Sequence, residues 1–122
     1  MGSGLAAGWC DGPYLIVLAA HDECIRNLVC VGADPTQIAV LDNYCWPGCE
    51  NPERMGELVR ASVGCLHAGL AFRTPFISGK DSLNTQFTTD AGDTIRLPPT
   101  LPLRDFAIVP AMLLLVPIDL RS

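Results

Sequence analysis

The sequence predicts an α+β domain, a mixed β-sheet with helices packed on one face. Three observations carry that prediction. Two long stretches, from about Tyr14 to Val31 and from Asn51 to Leu70, repeat apolar residues at helical spacing. Short apolar runs at Ile38–Leu41, Phe76–Ile77 and from Phe106 onward read as strands. Their order is helix, strand, helix, strand, then further strands, with no internal repeat and no linker, which suggests one sheet.

Composition bounds the rest. The chain has 122 residues, 49% hydrophobic and 17% charged, enough for one modest domain with its own core. Net charge is −5 and no basic cluster occurs, which argues against nucleic acid and against an anionic membrane surface as partners. The apolar run Tyr14–Ala20 is short and leads straight into His21-Asp22-Glu23. The run Phe106–Leu120 is interrupted by Pro110 and Pro117. The reading is a cytoplasmic protein. Six cysteines, at 10, 24, 30, 45, 49 and 65, then read as reduced thiols. Cys45, Cys49, Cys65 and His67 are the nearest set for zinc, but the last two, two apart on a helix, point to different sides.

Residues 1–13 are glycine-rich and read as a flexible segment ahead of a single domain over 14–122. The first helix ends at Gly32, a good residue just past a helix, with Pro35 beyond. Cys24, Ile25, Leu28 and Val31 form its apolar stripe, and Asp22 and Arg26 make an i, i+4 pair. Glu23 and Asn27, also one turn apart, fit either a solvated face or two oxygen ligands of a shared cation. The strand Ile38–Leu41 ends in Asp42-Asn43, at the end of a buried strand where α/β folds gather chemistry; an Asx turn is the simpler alternative. Asn51 then caps the second helix with Pro52 in its first turn. Met55, Leu58, Val59, Leu66 and Leu70 are the stripe expected to face the core, with Glu53, Arg54, Glu57 and Arg60 opposite.

Pro75 breaks that helix, and the strand Phe76-Ile77 runs into Ser78-Gly79-Lys80-Asp81-Ser82. Packing alone has no use for such residues. Glycine admits positive φ or a close ligand, the two serines and Lys80 suit phosphate, and Asp81 suits a hard cation. This is not a P-loop: Asp81 stands where Ser or Thr is required, and the upstream glycine is missing. Thr88–Gly92 reads as a hairpin turn, Thr94–Leu97 as a short strand, and Pro98-Pro99 as a break.

The segments Glu23–Val29, Gly32-Ala33-Asp34-Pro35, Asp42–Trp46, Asn51–Arg54 and Phe76–Asn84 resemble, in order and spacing, the large subunit of phosphoribosylformylglycinamidine synthase. The resemblance runs from about Pro13 to Thr100 and covers the amino-terminal part of the second of that enzyme's two halves. It implies an aminoimidazole-ribonucleotide-synthetase-like domain whose sheets pair across a two-fold or pseudo-two-fold axis. It also implies a part in ATP-dependent conversion of formylglycinamide ribonucleotide to its amidine, with Mg2+. ATP phosphorylates the amide oxygen, and ammonia from a glutaminase subunit or domain displaces phosphate. By resemblance Asp42 and Gly79 belong to the nucleotide site, Ser82 to the substrate, and Glu23 and Asn27 to magnesium at an auxiliary site; Lys80 joins the nucleotide set as a charge that can neutralise phosphate. The position of Lys80 is a magnesium-ligating asparagine in shorter members; lysine cannot ligate a cation, so the chain departs there as longer members do. The catalytic histidine lies in the other half and His21 does not replace it, so no catalytic residue is assigned. The stretch Ala111–Pro117 no longer follows the family.

The partners expected are the remaining domains of the synthetase and a second copy through the sheet, with Val40, Ile77, Ile108 and Leu113 as candidates for its uncovered face. A non-catalytic assembly module built on the same fold is the alternative.

Overall fold

A computed structural model describes residues 2–6, by their backbone, and residues 12–109. Helix α1 (Pro13–Cys30) opens on a proline that needs no backbone donor and closes where Gly32 turns to φ 86°. Strand β2 (Ile38–Asp42) leads through a loop to helix α2 (Pro52–Phe72). The Asn51 side chain caps α2 by accepting from the N–H groups of Glu53 and Arg54, as its sequence implies. Strands β3 (Phe76–Gly79), β4 (Gln86–Thr88), β5 (Thr94–Arg96) and β6 (Leu101–Ala107) follow.

The main sheet has the order β1-β6-β2-β3, with β1 formed by Gly2–Ala6. Strands β2 and β3 are parallel, joined by α2, and the other pairs are antiparallel, so the sheet is mixed as expected. Both helices pack on one face. Val17, Ala20 and Cys24 of α1 meet Ala61 and Cys65 of α2 over Val40, Leu101 and Leu103 of the sheet. Tyr44 and Trp46, just past β2, close one end of this core, and Trp46 Nε1 donates to the Arg54 carbonyl at 3.0 Å.

Several expectations are corrected here. The large apolar residues of α2 do not face the core: Met55, Val59, Leu66 and Leu70 are exposed, and only Leu58 of that stripe packs inward. The buried face is instead Ala61, Gly64, Cys65 and Ala68. The physical reason is close approach. A β-carbon at Gly64 would lie 3.0 Å from the Tyr14 carbonyl and 3.1 Å from Val17 Cβ, so α1 fits only against small residues. On α1, Cys24, Ile25 and Leu28 are buried, but Val31 is exposed.

Within the segment read as flexible, Gly2–Ala6 pairs with β6. Strand β6 begins at Leu101, five residues before the apolar run that announced it, and it holds Pro102. That proline lies opposite Asn43, just past the last residue of β2; its carbonyl accepts from Asn43 N–H at 3.1 Å, and the missing donor falls where the ladder ends. Strands β4 and β5 form their own two-stranded hairpin outside the main sheet. Val40 is fully buried under the helices and cannot belong to an uncovered face, whereas Ile77 and Ile108 are 62% and 63% exposed. Leu113 and the rest of 110–122 lie outside the described residues.

Candidate functional site

Parallel strands β2 and β3 end at the same edge, and their last residues, Asp42 and Gly79, are partners in register. An extra residue in β3 sets that register: Val40 pairs with Phe76, but Leu41 pairs with Ser78. Beyond the strands the two chains stay together. Lys80 N–H donates to the Asp42 carbonyl at 3.1 Å, Ser82 N–H to the Tyr44 carbonyl at 2.6 Å, and Trp46 N–H to the Ser82 carbonyl at 2.8 Å. Asp81 Oδ1 accepts the Tyr44 N–H at 3.2 Å. Cys45 and Thr100 exchange both backbone bonds on the other side. The polar loop is therefore held by a ladder, not left as a free turn.

Gly79 has a specific reason to be glycine. Its φ is not positive, but a β-carbon would collide with Asp42 Oδ1 and lie 2.9 Å from Asp42 Cγ. The missing side chain is the seat of the carboxylate. Burial raises the pKa of Asp42, and the neighbouring charge of Asp81 adds to the rise. A hard cation commonly takes one or two carboxylates and completes its shell with phosphate and water oxygens, chemistry that carboxylates such as Asp42 can supply.

A cleft of about 170 Å³ opens at this edge. Leu41, Asp42, Asn43, Ser78, Gly79, Lys80, Pro102 and Arg104 line it. Three expected site residues, Asp42, Gly79 and Lys80, are thus brought together. Asp81 is not in the lining; it accepts the Tyr44 N–H, and its charge acts on Asp42. Ser82 is half-buried in the ladder and does not line the cleft, and Glu23 and Asn27 sit on α1, also away from its lining. Arg104 is the member that sequence reasoning missed.

Two other hollows lack this chemistry. A groove of about 190 Å³ between the start of α1, α2 and Pro98-Pro99 is apolar apart from Glu57. A shallow one beside Leu66, Leu70 and Phe76 has Arg73 as its charged residue. Among the described residues, no three His, Cys, Asp or Glu side chains gather as a metal site. The zinc set is not assembled. Cys65 is buried with Tyr44 Oη 3.0 Å from its sulfur, and burial pushes its thiol up to about 11; His67 is exposed and bonds Tyr14 Oη at 2.9 Å.

The core also contains polar residues. His21 is fully buried between Phe72 and Phe76, with Nε2 2.7 Å from Thr74 Oγ1, and burial lowers its pKa. Asp105 is fully buried on β6 with neither oxygen in a conventional hydrogen bond, and burial raises its pKa to about 6 despite the weak donor Cys24 beside it.

No protein-family model matches the chain. Individual proteins do. The chain is 39% identical over 88 residues to phosphoribosylformylglycinamidine synthase subunit PurL of Chelativorans sp. (strain BNC1), covering 72% of this chain and 11% of that protein. It is 31% identical over 110 residues to the same subunit of Deinococcus radiodurans, covering 90% of this chain and 14% of that one. The structure of Thermotoga maritima PurL complexed with ADP superposes with a TM-score of 0.61 at 26% identity, over 83% of this chain and 16% of that one. That of PurLQS from the same organism gives 0.59 at 27%, over the same shares. The chain is therefore similar in sequence and in fold to one part of this subunit, an aminoimidazole-ribonucleotide-synthetase-like fold, and spans about an eighth of the length of the curated relatives it matches.

Proposed function

We propose that this chain supplies one wall of the nucleotide site of a phosphoribosylformylglycinamidine synthase, the enzyme that aminates formylglycinamide ribonucleotide in purine synthesis. The observation that carries the reading is the Asp42–Gly79 contact, a carboxylate seated where a side chain would otherwise be, at the common end of two parallel strands. Strand ends of this kind are where open sheets bind ligands. Asp42, Gly79 and Lys80 are the proposed nucleotide residues and Ser82 the substrate contact. Asp42 and Asp81 would hold Mg2+ together with phosphate oxygens, and Glu23 and Asn27 are the second pair proposed for magnesium. The cation supplies neutralisation of charge on the phosphates; the chain's part is to position them and hold the loop through its ladder. That two solved relatives are complexes with ADP and AMPPCP supports the nucleotide.

Residues 14–122 are proposed to act as one domain of a larger cytoplasmic assembly with the remaining synthetase domains and a glutaminase, and to turn over no substrate alone. MgATP at about a hundred times its Kd should stabilise the fold by about 2.7 kcal/mol. Asp42→Asn should lose most of that gain while melting almost like the parent without nucleotide. If MgATP leaves the melting temperature of the parent unmoved, the nucleotide reading fails.

A second reading, a non-catalytic assembly module, draws on the sheet face away from the helices, where Ile77, Phe106 and Ile108 are exposed among the described residues. Amidine formed from ATP and ammonium above a no-protein control would rule that reading out, and with it the expectation of no turnover.

A further inference from the structure

Arg104 lies directly opposite Leu41, which in turn pairs with Ser78, so one row crosses β6, β2 and β3 at the mouth of the cleft. Leu103 and Asp105 on either side are buried toward the helices, and alternation along the strand turns Arg104 to the other face. Lys80, the chain's single lysine, lines the same cleft one residue past the end of β3. Neither cation has an ion-pair partner among the described residues, where the ion pair found is Arg26 with Asp22. Other arginines are engaged: Arg54 donates to the Pro47 carbonyl and Arg96 to Gln86 Oε1. On a chain with net charge −5, two unpaired cations facing one hollow are out of keeping with a merely solvated edge.

We infer that Arg104 and Lys80 form a phosphate clamp, and that the cleft takes the phosphate chain of its ligand, not its base. A guanidinium fork matches phosphate oxygens two at a time, while an ammonium acts as a point charge. The Ser78 hydroxyl adds a donor in the same lining, where Leu41 and Pro102 are the apolar members, and no aromatic side chain is present on which a base could stack. This rests on the nucleotide reading for its ligand, but its residues and chemistry can be tested apart from it.

The test is calorimetry of the whole chain with inorganic tripolyphosphate, MgATP and adenosine, on the parent, Arg104→Ala, Arg104→Lys and Lys80→Ala. Arg104 is exposed, so the variants should melt with the parent. Either alanine variant is expected to weaken tripolyphosphate about tenfold or more, Arg104→Lys to restore part of the loss, and the defect to shrink as salt rises. Parent-like tripolyphosphate affinity in Arg104→Ala, or no tripolyphosphate binding by the parent, overturns the clamp. Arg104-dependent binding of tripolyphosphate with no binding of MgATP keeps the clamp and sinks the nucleotide reading. MgATP binding that Arg104→Ala leaves intact does the reverse. Adenosine binding that is lost in Arg104→Ala also overturns it, because the base would then sit at the cations.

Discussion

At Gly79 a side chain and the Asp42 carboxylate compete for one volume. Gly79→Ala forces that competition. Asp42 is short but can rotate away, so the cost to the fold should stay near the low end of overpacking, about 1 kcal/mol. The damage should appear in ligand binding, since the carboxylate would leave its seat. Comparing chemical denaturation with the MgATP-induced shift of the melting temperature separates the two; a loss of stability with an intact nucleotide shift would contradict this account of the glycine. Asp105 is a different case, a buried carboxyl without a use in the proposed site. Its pKa rises from 3.8 to about 6 on folding, so the unfolded chain releases its proton first. Stability from this residue is complete below about 3.8, falls as pH rises toward 6, and is flat above, a loss of up to about 3 kcal/mol. Asp105→Ala should therefore stabilise the protein at pH 7 and change little at pH 4, as urea unfolding at both pH values would reveal. His21 works in the opposite sense. Kept neutral by burial, it contributes fully above 6.5, and its contribution is lost as pH falls toward its lowered folded value.

The helices show how far sequence pattern reaches. Helical periodicity placed α1 and α2 to within a residue or two, and the Asn51-Pro52 start of α2 follows from capping chemistry alone. The face of α2 did not follow, because periodicity weights large apolar residues while a close helix pair is built from small ones. Ala61, Gly64, Cys65 and Ala68 recur at i, i+3, i+4 and i+7, a stripe as regular as the one it was mistaken for. The experiment follows directly. Gly64→Ala improves helix propensity by about 1 kcal/mol, yet the Tyr14 backbone cannot yield easily, so a net loss of about 1–2 kcal/mol is expected. Leu66→Lys, on the exposed stripe, should change stability by no more than about 0.5 kcal/mol. The reverse order in thermal denaturation would restore the original stripe to the core. At the site, Asp42, Gly79 and Lys80 were legible because an apolar strand ends abruptly in small and charged residues. Arg104 was not, since it sits inside a strand whose proline and aspartate hide its alternation, and its neighbours across the sheet are set by register.

On the scale of the whole molecule, the sheet presents helices on one side and, among the described residues, no packed layer on the other. That face is divided: Ile77, Phe106 and Ile108 are exposed apolar residues, while Arg104 and Lys80 mark the cleft end. The apolar part is expected to pair with a second copy or with another synthetase domain, since exposed patches of this kind seek a partner. Sedimentation velocity should show association that Ile77→Glu weakens. A well-folded monomer at high micromolar concentration would count against pairing without touching the cleft. The cleft itself is tested most directly by amide chemical-shift mapping during a titration with MgATP. The expected result is a set of shifts concentrated at 41–44, 78–82 and 102–104. Shifts confined to the apolar groove beside Pro13, Trp46 and Ala61, or none at saturating nucleotide, would contradict a nucleotide site at the ends of β2 and β3.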